Sequence, residues 1–200
     1  MAAWDRRSTR LVYRNAFVAA YEDVLDAPRG GTMTSLRLVS RPFACVVPVS
    51  DDGKIVFVQN YRPAIGAYVL ELPGGRIEPG EDPRDAAGRE LEEETGLRAG
   101  ELTLLGWFYP SPSRSASRAH LFLGRKLRAG KRNPDVTEDL RTVEIAVALV
   151  YQRLRRGRIH DAAAVIGLSL ARPFLNESQP GPRSKPLIPR VARSSRSGVG

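Results

Sequence analysis

Gly75-Arg-Ile-Glu-Pro-Gly-Glu-Asp-Pro-Arg-Asp-Ala-Ala-Gly-Arg-Glu-Leu-Glu-Glu-Glu-Thr-Gly-Leu97 is the stretch that decides how this chain is read. Four glutamates, Glu90, Glu92, Glu93 and Glu94, fall within five residues, directly behind a loop rich in Gly and Pro. Helical neighbours three and four apart share a face, so Glu90, Glu93 and Glu94 project to one side. Leu91 and Ala87, also four apart, mark the side that buries against a core, and Glu92 points away from the other three toward solvent. Like charges gathered on one face repel, and a helix does not collect them for stability alone. Carboxylate oxygens in such a group are the ligands that Mg²⁺ or Mn²⁺ prefers. The ends of the helix are written into the same stretch. Asp82 suits the N-cap, Pro83 the first helical position, Asp85 the positive end of the dipole, and Gly96 the left-handed stop.

These residues resemble the Nudix box, G-x5-E-x7-R-E-U-x-E-E-x-G-U with U aliphatic, at every specified position. Gly75, Glu81, Arg89, Glu90, Leu91, Glu93, Glu94, Gly96 and Leu97 fill it without substitution. The resemblance implies an α+β chain with the Nudix fold, an α/β/α sandwich around a mixed sheet, preceded by an N-terminal antiparallel β-element. It also implies metal ligation by Glu90 and Glu94 and by the Gly74 carbonyl. Glu93 either ligates a bridging ion or orients the attacking water, and Arg89 holds the acidic cluster in place. Glu81 is a weaker ligand candidate, an outer-sphere partner or a helix-stabilising residue.

Segments outside the box narrow the resemblance. Gln59-Asn-Tyr-Arg-Pro, Leu70-Glu-Leu-Pro-Gly-Gly, Tyr109-Pro-Ser-Pro and Gly157-Arg-Ile-His-Asp-Ala-Ala-Ala-Val-Ile-Gly-Leu look like ADP-ribose pyrophosphatase-type members. The implied reaction is Mg²⁺-dependent hydrolysis of the diphosphate linkage of ADP-ribose or a related ADP-sugar, giving AMP and a sugar phosphate. GDP-mannose or another nucleoside-diphosphate compound is the alternative substrate, and a catalytically weak binding module the second alternative. The subfamily often places a glutamate base on a loop after the box; Glu138, in the 131–139 loop, aligns best with it. Arg62 is expected to grip a phosphate, because a planar guanidinium pairs with two oxygens. Glu71 and Tyr13 are candidates for ribose or base contacts. After Ser111-Pro112 the subfamily continues with Gly and then an acidic residue, where this chain has Ser113 and Ser117. The first change alters the turn's conformational freedom and the second removes a carboxylate, which puts a shifted substrate in view.

The rest of the chain sets bounds. Two hundred residues, 42% of them hydrophobic, allow one substantial core, and no apolar run approaches the roughly 20 residues of a membrane span. The basic start, MAAWDRRSTR, is not followed by a signal-type apolar stretch, so a cytoplasmic protein is expected. The single cysteine, Cys45, excludes an intrachain disulfide and reads as a core thiol. The net charge of +9 is inflated by residues 176–200, a tail rich in Ser, Pro and Arg with five basic residues and one acid, expected to be disordered. Nucleic acid is therefore an unlikely partner, and the remaining excess suits a polyanionic small molecule. Three units are expected: residues 1–40 as a β-element that packs on or swaps onto a second subunit of a homodimer, 41–175 as the hydrolase domain, and 176–200 as the tail. Two strands are predicted within 9–25, RLVYRNAF and then VAAYEDVL, followed by a turn at 26–31. Further strands are predicted at 33–40, 43–49, 54–60, 68–72, 102–109, 119–126 and 142–148, of which 43–49 and 54–60 form a hairpin around Asp51-Asp52-Gly53. Helices are predicted near 149–156 and from an Asp161 cap to about 171.

Overall fold

The first forty positions form three strands, β1 (Asp5–Arg14), β2 (Val18–Asp26) and β3 (Thr32–Ser40). The computed structural model describes residues 4–134 and 139–175. The three strands form their own antiparallel sheet in the order β1-β2-β3. Its first turn is closed by Asn15, whose Oδ1 accepts the N–H groups of Phe17 and Val18, both at 2.8 Å. The second turn uses Gly30 and Gly31 at φ 90° and 93°, a region L side chains avoid. The second turn falls within the predicted 26–31, while the first begins at Asn15, inside the stretch predicted as the first strand.

Two further sheets follow. β7 (Gly74–Arg76), β4 (Phe43–Pro48), β9 (Ala119–Ala129) and β8 (Leu97–Phe108) make a four-stranded sheet in that order, with β4 and β9 parallel and the other pairs antiparallel. β10 (Leu140–Ala146), β5 (Lys54–Arg62) and β6 (Ala67–Glu71) make a three-stranded antiparallel sheet. The predicted hairpin of β4 and β5 is therefore corrected. The Asp51-Asp52-Gly53 turn forms and Val49 bridges Ile55, but the strands then part into different sheets. β4 is buried on both faces, with Ala44, Cys45, Val46 and Val47 all at 5% exposure or less, and a strand with two buried faces belongs inside a sandwich.

That strand shows the layers. Ala44 and Val46 face the helix α1 (Pro83–Thr95), with Ala87, Leu91 and Phe122. Cys45 and Val47 face the opposite core, which holds Ile55, Phe57, Leu121 and the helices α2 (Val147–Arg155) and α3 (Ala162–Leu175). The period of two along β4 thus separates two helical layers, and the α/β/α sandwich expected from the sequence is the observed architecture. α3 presses close because residue 167 is glycine; a Cβ there would lie 2.8 Å from Leu72 Cδ1 and 3.2 Å from Val47 Cγ2. β8 begins at Leu97, immediately after Gly96, five residues earlier than predicted, and α3 runs on to Leu175 through Pro173. Among the described residues no helix is long and apolar enough to cross a membrane.

Candidate active site

The acidic helix starts and stops as its sequence dictates. Asp82 accepts the Arg84 N–H at 2.8 Å, Pro83 opens the first turn, and Gly96 at φ 74° donates to the Glu92 carbonyl. Leu91 and Ala87 are fully buried, so the helix is pinned by its apolar side and offers its carboxylates to the opposite one. Truncating Leu91 to alanine would cost about 2–5 kcal/mol of this anchoring.

Arg89 is the hub of the offered face. Its Nε and Nη2 reach both oxygens of Glu81, at 2.9 and 3.1 Å, while Nη1 lies 2.8 Å from Glu90 Oε1 and 2.9 Å from Glu93 Oε2. Nη2 also donates to the Arg76 carbonyl of β7 at 3.0 Å. One guanidinium thus gathers three carboxylates and ties them to the glycine strand. These bonds, led by those to Glu81, raise the Arg89 pKa further, and in return hold the Glu81 carboxyl below its ordinary range. Glu94 is 4% exposed, and its Oε2 accepts the Gly74 N–H at 2.9 Å.

The paired glycines make this approach possible. A Cβ on Gly75 would fall 2.5 Å from both carboxylate oxygens of Glu90. A Cβ on Gly74 would fall 2.7 Å from Cys45 Cα and Sγ, and closer still to the Ala44 carbonyl oxygen. Gly75 therefore leaves room for the Glu90 carboxylate, and Gly74 lets β7 lie flat on β4. The donor set of Glu90, Glu93, Glu94 and nearby carbonyls suits a hard divalent cation in kind. Among the described residues, no three His, Cys, Asp or Glu side chains already stand as a cation cage. Arg89 Nη1 sits between Glu90 and Glu93, and Glu94 turns to Gly74.

Glu92 departs from its reading as a solvated acid. It accepts from Arg98 Nε at 2.7 Å and from the Lys131 N–H at 2.9 Å. It belongs to a clasp that closes the helix end. Gly130 N–H donates to the Gly96 carbonyl, Asn133 N–H to the Glu93 carbonyl, and Arg132 Nε to the Glu94 carbonyl at 2.8 Å. Arg132 Nη2 meanwhile donates to the Leu140 carbonyl, also at 2.8 Å. α1 has no basic residue in its own last turn, so Arg132 supplies the cation that the negative end of the helix favours. Sequence reading missed this residue, because nothing local marks a loop arginine as the cap of a helix forty positions earlier.

The other predicted residues are distributed as follows. Arg62 and Glu71 are brought together as a two-point pair, Nε to Oε1 at 2.8 Å and Nη2 to Oε2 at 2.5 Å, on neighbouring β5 and β6. Tyr13 lies on β1, 55% exposed, its hydroxyl accepting from Asn15 Nδ2 at 3.3 Å. The tip of that hairpin reaches the glycine strand, since Arg76 stacks 4.2 Å from the centre of the Phe17 ring. Glu138 lies outside the described residues, as does the tail from 176. His160 bonds the Gly157 carbonyl, and Asp161 caps α3 through the Ala164 N–H, its carboxyl pushed up by burial. The buried Cys45 thiol is likewise pushed up by burial. Ser117 Oγ donates to the Arg41 carbonyl at 2.8 Å.

Asp23 is the other residue the sequence did not announce. It is 2% exposed within an otherwise open sheet, bonded by Arg37 Nε at 2.6 Å and by the Thr9 hydroxyl, with Arg6 at 3.4 Å. The Arg37 bond above all, with that of Thr9, lowers its pKa to about 2.

Residues 39–162 match the family model of the NUDIX domain. An ADP-ribose pyrophosphatase of Bacillus subtilis is 31% identical over 154 residues, covering 76% of this chain and 83% of that protein. A methanol dehydrogenase activator of Bacillus methanolicus is 31% identical over 163 residues, covering 80% and 88%. The crystal structure of an ADP compounds hydrolase superposes with a TM-score of 0.80 at 25% identity, over 88% of this chain and 95% of that one. With the box complete in sequence, its glutamates gathered around Arg89 and the model match spanning well over half the residues, the chain belongs to the Nudix family.

Proposed function

We propose that this chain hydrolyses the diphosphate linkage of ADP-ribose or a related ADP-sugar, releasing AMP and a sugar phosphate. The observation that carries the proposal is the Arg89 hub, which holds Glu81, Glu90 and Glu93 together beside the Gly74-Gly75 loop. Relatives named for ADP-ribose and for ADP compounds support the substrate class. Nudix enzymes generally use divalent ions such as Mg²⁺. Here Glu90, Glu94 and the Gly74 carbonyl would hold Mg²⁺ or Mn²⁺, with Glu93 as a further ligand or as the group that orients water. Such an ion screens phosphate charge and lowers the pKa of bound water.

The chain's own residues supply the remainder. Arg89 keeps its three carboxylates aimed, and Gly74 N–H fixes the Glu94 carboxylate. Glu138 is the assigned general base. Arg62, paired with Glu71 and half exposed, would grip a phosphate, and Tyr13 and Glu71 would meet the nucleoside. Residues 41–175 would form the hydrolase unit. Residues 1–40 would bind a second copy, since Trp4, Leu11, Val12, Tyr13 and Phe17 leave large apolar side chains open. Ser113 and Ser117 favour a second reading, the same chemistry on another nucleoside diphosphate such as GDP-mannose.

The test is Mg²⁺-dependent release of AMP or sugar phosphate from ADP-ribose, ADP-glucose, GDP-mannose and NADH, with Glu93→Gln as control. The expected result is cleavage of an ADP-sugar that drops about a hundredfold or more in the control. Preference for GDP-mannose would move the substrate. Silence across the panel from folded protein would overturn the enzyme assignment. Elution at twice the monomer mass, lost when Leu11 and Val12 become serine, would establish the second copy.

A further inference from the structure

Away from the acidic cluster, the structure gathers positive charge that the proposed reaction does not use. A cleft of about 300 Å³ opens between β2–β3 and the 109–118 corner, lined by Arg6, Arg37, Arg114 and the serines 35, 113 and 115 around one acid, Asp23. A second cleft of about 430 Å³ adjoins it, sharing Arg37 and Ala116 and adding Arg118, His120 and Ser117, with no acid in its wall. The two form one trough. Asp23 is fully engaged by Arg37, Arg6 and Thr9, so it does not neutralise the other cations. Among the described residues no carboxylate pairs with Arg114 or Arg118. Arg118 instead lies over Trp107, 4.6 Å from the ring centre. Stacking of this kind uses the face of the guanidinium and leaves its N–H fork in the plane for an anion. His120 adds a ring nitrogen rather than a strong charge, because burial holds it below the usual imidazole range.

The trough is also near the reaction. His120 on β9 pairs with Ala44 on β4, and Ala44 with Gly75 on β7. Cross-strand partners share a face, and Ala44 packs toward α1. Two strand spacings, about 10 Å, therefore separate His120 from the glycine beneath Glu90. That is within the length of one nucleoside-diphosphate sugar. Ser117 stands where an acid would repel an anion, and its hydroxyl turns to the Arg41 carbonyl.

We infer that this trough binds a phosphomonoester, with Arg114 and Arg118 as its principal contacts, and so selects an ADP compound that carries a phosphate beyond the diphosphate being cleaved. The inference deepens the proposed hydrolysis and rests on it for the substrate's identity, though not for the anion site itself.

Two measurements separate the sources of the phosphate. In the first, kcat/KM is compared for ADP-ribose and for ADP-ribose bearing a 2′-phosphate, in wild type, in Arg114→Ala/Arg118→Ala and in Ser117→Glu. The expected preference is about tenfold or more for the phosphorylated compound, the scale of a charge-assisted hydrogen bond, falling toward unity in both variants. In the second, calorimetry follows inorganic phosphate binding to metal-free protein, a readout that needs no turnover. Phosphate binding that the arginine variant abolishes, without a substrate preference, assigns the trough to a free anion. The same binding in a protein that cleaves neither compound keeps the trough and removes the reaction. No preference, together with no phosphate binding sensitive to Arg114 and Arg118, overturns the inference. Melting temperatures of the variants within a few degrees of wild type exclude unfolding as the cause.

Discussion

Around Arg89 one guanidinium holds three carboxylates, Glu81, Glu90 and Glu93; around Asp23 one carboxylate holds two guanidiniums, Arg37 and Arg6. Both clusters are bonded throughout, yet each leaves a surplus of one sign. The first surplus is negative and lies on a single helix and its loop, where nearby glycines give the carboxylates room. The second is positive and is assembled from β1, β2, β3 and the 109–118 corner. Pairing within a cluster fixes geometry, and its net charge sets the sign of ion it would attract. The first would suit a cation and the second an anion, and a nucleoside diphosphate with its metal ion carries both.

Substitutions at the two glycines strain this comparison most. Gly74→Ala pushes a methyl into the backbone of β4, which cannot give way, and should cost about 3 kcal/mol of stability, read as a lower urea midpoint. Gly75→Ala meets first the carboxylate end of Glu90, a side chain that can turn where a backbone cannot, so it should unfold nearer the wild-type midpoint than Gly74→Ala while losing about tenfold or more in kcat. Equal losses of stability in the two variants would mean that Gly75 serves packing, not the carboxylate. Next in size is Arg89→Met, which leaves three carboxylates facing one another. We expect about 1–2 kcal/mol of destabilisation at low salt, because Arg89 is a third exposed and solvent screens the cluster. Mg²⁺ should recover more of the melting temperature in this variant than in wild type. An equal response in both proteins would separate the hub from the metal site.

The smallest effect belongs to Asp23. Its folded pKa, about 2, is below the unfolded value near 4, so its contribution is complete above about pH 4 and disappears as pH falls toward 2. Asp23→Asn should be less stable than wild type at pH 7 and equal to it near pH 2. A constant difference across that window would assign Asp23 a packing role alone.

The legibility of these regions in the sequence differs for the same reason. The acidic helix is local, and Asp82, Pro83 and Gly96 mark its ends, so its caps and span could be read from consecutive residues, while the hub at Arg89 came from the family resemblance. The sandwich was legible from strand and helix order. The parting of β4 from β5 was not, because a tight turn reports only where two strands meet and not which sheets they enter. Glu92 was misread as solvated, since Arg98 and Lys131 approach it from after the helix. Asp23, Arg37 and Arg114 are separated by a turn and then by most of the domain, and no period in the sequence joins them. Arg62 and Glu71 were each picked out alone; their pairing is a consequence of β5–β6 register.

The clasp of residues 130–133 on the end of α1 has a consequence for how the molecule opens. Gly130 and Asn133 belong to an irregular segment, yet their amides are bonded to carbonyls of the helix, and Arg132 holds a third. Their protons should exchange with deuterium on the timescale of the helix core instead of that of a surface loop. A segment without regular structure would thus unfold only when the acidic helix does, as one cooperative unit.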